Sequence, residues 1–391
     1  MDATAHSERL YFMDNLRAFA MMLGVVFHVI LAYSPYMSQV WPSANSANSV
    51  VVDVFAGFSH TFRMPLFFVV AGFFCAMLTA RRGYGGMLKN RGLRVLLPLV
   101  IFLPILTVLM IISFTWALKN VEHLSPILRF IKVESARGTL DAQPPSTIHL
   151  WFLYYLCMFY LLVGAFRILI PVRIASFLAS FFLGLKPIVA LIVFPLLLIP
   201  AMLLTLHMYP APEYLLPQIW AIMFFGAFFA YGYLMFRSFN LLDSLEKYAP
   251  WLVLVSCGMY AVYHSVLPAE SLSLVPAPQS LGLRLALGIP TACISVYMSL
   301  ASFIYARKFL NSSSKTLRLI SDSSYWVYLV HVPLLFAVQF AMLDRDLSWP
   351  VAFIVSLTVV MAISMGSYFL LVRWTPLTWL LNGRKRREVK G

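Results

Sequence analysis

The chain has 391 residues, 61% of them apolar and only 11% charged, with a mean hydropathy of +0.84. Soluble domains run near half apolar and a quarter charged, so a soluble enzyme is excluded. The net charge of +14 comes from basic residues in loops between apolar runs, where they read as topology signals and not as a surface for nucleic acid.

Ten apolar runs approach the ~20 residues that a bilayer crossing needs. They predict spans over 16–33, 65–80, 95–116, 150–168, 188–206, 217–236, 250–267, 284–305, 324–342 and 351–372. The expected fold is an all-α membrane protein, a bundle of about ten transmembrane helices forming one domain over 1–391, with short tails at about 1–14 and 374–391. Loops on one side carry 21 Lys and Arg and those on the other carry 7. The positive-inside rule therefore sets both termini in the cytoplasm. The first run carries Arg17 and His28 and lacks a small-residue cleavage site, so it reads as a retained span and not a signal peptide. Two longer stretches, 34–64 and 117–149, fall on the far side; in the first, Asp53 to Arg63 is expected to re-enter the membrane or lie along it. Cys75, Cys157, Cys257 and Cys293 sit inside apolar runs without CxxC spacing and read as small hydrophobes. No metal and no bound cofactor is expected.

Chemistry enters with Arg17 and His28. Eleven helical steps of about 100° leave the two side chains within about 20° of one face and roughly 16 Å apart along the axis. Arg17 then stands at the cytoplasmic edge and His28 near mid-bilayer, where ionisable groups are costly and usually functional. All fifteen acidic residues lie outside the span cores. Arg17 suits the phosphates of an acyl-CoA thioester, whose pantetheine arm would run up the helix to His28. Equally open is an ion pair with Asp14 one turn away. His28 reads as a general base toward an acceptor hydroxyl or as the carrier of a covalent acyl group; a satisfied core histidine is the plain alternative.

His60 and Arg63 share a helical face before the second span and could bind a ligand carboxylate or the acceptor, or snorkel to lipid headgroups. His149 opens the fourth span beside Trp151, as an interfacial anchor or a substrate contact. In the ninth span Tyr325, Tyr328 and His331 recur every three residues, a polar stripe expected to face inward; an interhelical structural bond is the alternative for His331. No GxSxG, P-loop or HExxH pattern occurs, and no histidine is followed by Asp five positions on, which excludes the His-x4-Asp pattern of soluble and peripheral acyltransferases.

At these residues the chain resembles the acyltransferase family 3 membrane proteins. The family's Arg, ten residues, then His stands here as Arg17 and His28. Its aromatic–glycine run stands as Phe67-Phe68-Val69-Val70-Ala71-Gly72-Phe73, with Ala71 for the usual serine, and Arg91-Gly92-Leu93-Arg94 followed by Pro98 also fits. Within the family, His60 with Phe62-Arg63-Met64, His149-Leu150-Trp151-Phe152-Leu153 and Tyr328-Leu329-Val330-His331 are most similar to succinyltransferases of osmoregulated periplasmic glucans. The candidate catalytic residues are His28 and His331, with Arg17, Asp14, His60, Arg63, His149 and Tyr328 at the substrates; the resemblance implies that Arg17 and His28 are needed for activity. It also implies succinyl-CoA or acetyl-CoA as donor, a periplasmic glucan or other polysaccharide as acceptor, glucan-synthesis proteins as partners, and the bacterial inner membrane as location. The rival readings are an O-acetyltransferase of another surface polysaccharide and a transporter without chemistry.

Overall fold

The computed structural model describes residues 11–140, 144–205, 211–267, 279–312 and 314–383. The tails expected at 1–14 and 374–391 lie partly outside them. Among the described residues the chain is helical without a strand, and one isolated antiparallel bridge joins Ser146 to Tyr214. Helix is what this composition dictates: in hydrocarbon each backbone N–H and C=O must find its partner inside its own segment.

The helices are α1 (Tyr11–Ile30), α2 (Val50–Arg91), α3 (Leu97–Asn120), α4 (Pro126–Arg137), α5 (Trp151–Leu169), α6 (Val172–Leu183), α7 (Pro187–Leu203), α8 (Ile219–Met235), α9 (Asn240–Leu245), α10 (Ala249–Ser265), α11 (Leu281–Phe309), α12 (Lys315–Phe340), α13 (Trp349–Ser367) and α14 (Leu377–Leu381). Every predicted span falls on one of them. Among the described residues, six helical stretches are long and apolar enough to cross a membrane, or eight if each of two bent pairs counts as one. The six differ from the expected ten for two physical reasons. Helices α7, α8 and α10 have 17 residues each, at the short limit for a crossing. The passage Val50–Asn120 runs as 71 continuous helical residues. At about 1.5 Å per residue it far exceeds a ~30 Å hydrocarbon layer. Its break is Gly83, at φ +68°, a left-handed conformation that suits glycine.

The segment from Asp53 to Arg63 does not form a separate re-entrant piece; it is the first part of α2, which runs through Pro65 without breaking. Packing explains this. Val52 and Ala56 bury against Leu31 and Tyr33, and Phe58 packs edge-on to Tyr260. The Asp53 carboxylate is hydrogen-bonded by the Ser34 hydroxyl and the Tyr36 N–H. The stretch 117–149 holds the short helix α4, capped by the Ser125 hydroxyl at the Leu128 N–H.

Helix α2 packs most extensively on α8. A Cβ on Gly72 would collide with the carbonyl oxygen of Phe229, and one on Gly232 with that of Val69. The glycine of the aromatic run is thus needed because two backbones touch there, the small-residue logic of membrane helix pairs. The phenylalanines beside it fill the core: Phe68 contacts Phe152, Phe159 and Phe225 at ring centroid distances of 4.9, 5.4 and 4.8 Å. Helix α1 lies between α2, α12, α11 and α13, so its inward stripe is enclosed by protein and not lipid.

Candidate active site

Two chambers lie along that stripe. The first, of about 360 Å³, is lined by His28, His60, Arg63, His149, Tyr328 and His331 together with apolar side chains. The second, of about 340 Å³, is lined by Asp14, Arg17, Arg91, Arg94, Asp322 and Tyr325 among others. Met21, Phe67 and Phe152 line both. A partition of one methionine and two rings therefore divides them. The same three-residue stripe of α12 serves both, with Tyr325 in one chamber and Tyr328 and His331 in the other.

In the first chamber His28 Nδ1 lies 2.9 Å from His331 Nε2. His331 Nδ1 lies 2.7 Å from the Tyr328 carbonyl oxygen and 3.1 Å from that of Val327. A carbonyl only accepts, so Nδ1 of His331 carries the hydrogen and, in the neutral ring, Nε2 accepts. The shared bond then takes its hydrogen from His28 Nδ1. This leaves His28 Nε2 with a bare lone pair, the arrangement of a general base whose other nitrogen is held by a neighbour. His331 is 2% exposed, and its orientation is fixed by its own helix backbone.

His149 donates from Nε2 to the Leu329 carbonyl oxygen at 3.0 Å, while Tyr328 donates its hydroxyl to the His149 carbonyl oxygen at 2.8 Å. The turn Ile148–Leu150, which leads into α5, is thereby clasped to α12 beside the imidazole pair. His149 is not held at an exposed interface; its ring packs edge-on to His331, with centroids 5.5 Å apart. Arg63 is not at a lipid headgroup either. It is 3% exposed, with its guanidinium carbon 4.0 Å from the centre of the Phe27 ring, a cation–π contact. Its Nη1 is buried and without a hydrogen-bond partner among the described residues. His60 stacks on the other partner of that contact, 5.0 Å from Phe27.

The second chamber is built differently. Asn15, one residue along α1 from Asp14, anchors the helix by donating to the carbonyls of Leu310 and Ser312 at 2.7 and 3.2 Å. Tyr325 donates to the Arg94 carbonyl at 2.9 Å, and Asn382 to that of Asp322 at 2.7 Å. Three guanidinium groups, from Arg17, Arg91 and Arg94, therefore line one hollow with two carboxylates, Asp14 and Asp322. Arg91 has its Nε buried without a partner among the described residues. Such a cluster has room in its charge balance for an anionic ligand.

At the end that carries Trp41 and Glu213, the first chamber is bordered by loops. Thr147 donates both its N–H and its hydroxyl to the Glu213 carbonyl, at 2.6 and 2.7 Å. Ile148, between Thr147 and His149, stands at φ +46°, unfavourable for a β-branched residue and costing on the order of 1–3 kcal/mol. Strain of that kind is held only where neighbours over-determine the backbone. Trp41 lies parallel to the His28 ring, with centroids 6.3 Å apart and planes at 10°.

The geometry thus gathers His28, His331, His60, Arg63, His149 and Tyr328 in one chamber and sets Arg17 with Asp14 in the other. Trp41 and Glu213, which also line the first chamber, and Arg91 and Arg94 in the second were not singled out as site residues by spacing. Trp41 and Glu213 lie in loops without periodicity; the two arginines read only as topology charge or family pattern.

The long apolar helices, with a chamber of imidazoles buried among them, mark a multi-pass membrane protein with a polar site in its interior. The sequence model of acyltransferase family 3, described as an acyltransferase domain, matches residues 10–369, and the chain is a member of that family. It is 33% identical over 150 residues to glucans biosynthesis protein C of Escherichia coli K12, and equally so to that of Escherichia coli O1:K1 / APEC. The match takes in 38% of this chain and 37% of each relative, so it spans little more than a third of their length. No solved structure matches the chain.

Proposed function

We propose that the protein carries an acyl group, succinyl from succinyl-CoA, across the bacterial inner membrane onto hydroxyls of osmoregulated periplasmic glucans. It does so as a bundle of ten crossings with both termini in the cytoplasm. The observation that carries this reading is the pair of back-to-back chambers on α1. The cationic one suits the phosphates of coenzyme A, and the imidazole-lined one suits the reacting thioester. The partition of Met21, Phe67 and Phe152 supports passage of a thin pantetheine arm between them, because methionine is flexible and yields readily.

Nε2 of His28 takes the proton of the acceptor hydroxyl as its oxygen bonds to the thioester carbonyl carbon. The imidazolium so formed donates from Nδ1 to His331 Nε2, a charge-assisted bond stronger than the neutral one. Collapse of the tetrahedral adduct breaks the C–S bond. The proton on Nε2 then passes to the departing thiolate, releasing coenzyme A as the thiol.

Succinyl differs from acetyl by a free carboxylate, which is costly to bury unpaired. The unpartnered Nη1 of Arg63 is the cation that answers it, with His60 in support. The test is donor competition in detergent with labelled succinyl-CoA and acetyl-CoA and a neutral glucan. Wild type is expected to favour succinyl by at least about tenfold, the scale of one charged hydrogen bond, and Arg63→Ala to erase that preference while still transferring. An unchanged preference in the folded variant would remove Arg63 from donor choice. A wild-type preference for acetyl-CoA would make the protein an acetyltransferase.

A further inference from the structure

A sugar hydroxyl that reaches His28 brings its neighbours with it, and each must exchange water for a partner in the chamber or lose free energy. Much of the wall is methionine, phenylalanine, leucine, valine and proline. The polar groups at the loop-bordered end are therefore decisive, and two of them have no part in the transfer chemistry above.

The first is Glu213, the single acidic side chain that lines this chamber among the described residues. Its backbone is fixed by the Ser146–Tyr214 bridge and the double bond from Thr147. The Ser146 hydroxyl hydrogen-bonds its side chain. A carboxylate offers about four lone-pair sites, so one hydroxyl leaves most of its capacity unused. Burial pushes this carboxyl above its ordinary range, against the lowering effect of Ser146. The second is Trp41, whose buried Nε1–H has no acceptor among the described residues. The loop that carries it is rigidly tied: Trp41 N–H donates to the Met37 carbonyl at 2.8 Å, Ser125 to that of Pro42 at 2.7 Å, and Ser43 to the Gln339 side chain at 2.6 Å. Gln339 in turn donates to the Val29 carbonyl at 2.9 Å, next to His28. An indole held this firmly with its donor unsatisfied is pre-organised for something it does not yet touch.

We propose that Glu213 and Trp41 form a carbohydrate subsite at the loop-bordered end of the His28 chamber. The Glu213 carboxylate accepts hydrogen bonds from hydroxyls of one sugar ring, and the Trp41 Nε1–H donates to an oxygen of the same ring. Together they present a neighbouring hydroxyl to His28 Nε2. A carboxylate beside a donor is the complement of a ring whose hydroxyls both donate and accept. The chamber is at the low end of the ~300–1,000 Å³ of ligand pockets, so it takes a terminal or single sugar unit and not a length of polymer. The negative charge of Glu213 selects neutral acceptors and disfavours rings that already carry an anionic group. This inference rests on the acyl-transfer reading for its biological sense, but the binding itself does not.

The experiment separates acceptor from donor. Initial rates are measured in wild type, Glu213→Gln, Trp41→Phe and, as a loop control that removes a bond to the Glu213 backbone only, Thr147→Val, each against glucan and acyl-CoA concentration. Binding of neutral glucan oligosaccharides without donor is measured by calorimetry. Glu213→Gln is expected to raise the acceptor KM and Kd by at least about tenfold, as loss of a charged hydrogen bond would, with donor KM within twofold. Trp41→Phe should weaken the acceptor alone by a smaller factor and keeps the test open should the first variant misfold. Wild-type acceptor affinity in both variants would overturn the subsite. So would donor and acceptor KM rising together to match Thr147→Val, since that is the signature of a disturbed loop. Oligosaccharide binding that weakens in Glu213→Gln, in a protein that transfers no acyl group, would leave the subsite standing and sink the proposed function. No oligosaccharide binding by wild type would overturn the subsite.

Discussion

The two chambers on α1 are nearly equal in volume, about 360 and 340 Å³, and opposite in chemistry. One gathers three arginines and two aspartates. The other holds, among the described residues, four imidazoles, one arginine lodged over an aromatic ring, and one carboxylate. The difference follows the cost of charge in a membrane. Groups that stay ionised are affordable where water and counter-charges reach them; deeper in, that cost falls sharply for a group that can be neutral. Imidazole is the side chain that remains chemically useful when neutral. One helix, with Arg17 and His28 on a single face, therefore carries a guanidinium into one chamber and an imidazole into the other.

The division of labour can be broken most severely at His28. His28→Ala is expected to lower kcat by about 10²–10⁴, the usual worth of a general base, while donor KM stays near that of wild type. A fall in donor affinity instead would mean that the two chambers do not act separately. Arg17→Ala should do the reverse, raising donor KM about tenfold to a hundredfold with kcat largely kept. The contrast sharpens with an acyl-pantetheine lacking the nucleotide. Arg17→Ala should be indifferent to that substitute, whereas His28→Ala should remain defective, and equal defects on both donors would erase the distinction.

Smaller effects test the frame that both chambers share. Gly72→Ala pushes a methyl group into the Phe229 carbonyl and is expected to cost about 1–3 kcal/mol, as overpacking does, read as a lower Tm in detergent. Since Phe67 lines both chambers from the same helix, both KM values should move together. Unchanged stability would show that α2 and α8 can separate freely. The smallest effect concerns the loops after α3 and α12. Asp344 accepts from the N–H groups of His123 and Glu122 at 2.8 and 3.0 Å. These backbone N–H groups hold its carboxyl below the ordinary range. A group depressed in the folded state contributes above its unfolded pKa of about 3.9, and that contribution is lost as pH falls through the lower folded value. At this exposed site it amounts to about 1 kcal/mol or less. Asp344→Asn should flatten the acid limb of the stability curve slightly and leave donor KM alone; an altered donor KM would show coupling between these loops and the Arg17 chamber.

Much of this organisation is legible in the residues themselves. The Arg17–His28 spacing fixes a shared face from helical geometry alone, and the Tyr325–Tyr328–His331 repeat does the same on α12. Gly72 stands out only within its aromatic run, and its reason, a backbone contact with α8, needs the partner helix. The contact of His28 with His331 joins residues 303 apart, which periodicity within a segment has no means to reveal. Trp41 and Glu213 are hidden for another reason. Their placement depends on bonds that loop residues Pro42, Ser43 and Thr147 make to distant segments, Gln339 of α12 among them, and loops carry no repeating pattern. The start of α2 misleads because polar residues interrupt the apolar stretch from Asp53 to Arg63, while packing and two hydrogen bonds carry the helix through.

The measurement that tests transfer between the chambers most directly is sidedness. Purified protein is reconstituted in sealed vesicles enclosing neutral glucan, and succinyl-CoA labelled in the succinyl group is added outside only. Wild type is expected to place label on the enclosed glucan, and His28→Ala, checked for folding, to place none. Label that appears only when donor and glucan share the same face of the membrane would contradict transfer through the partition of Met21, Phe67 and Phe152.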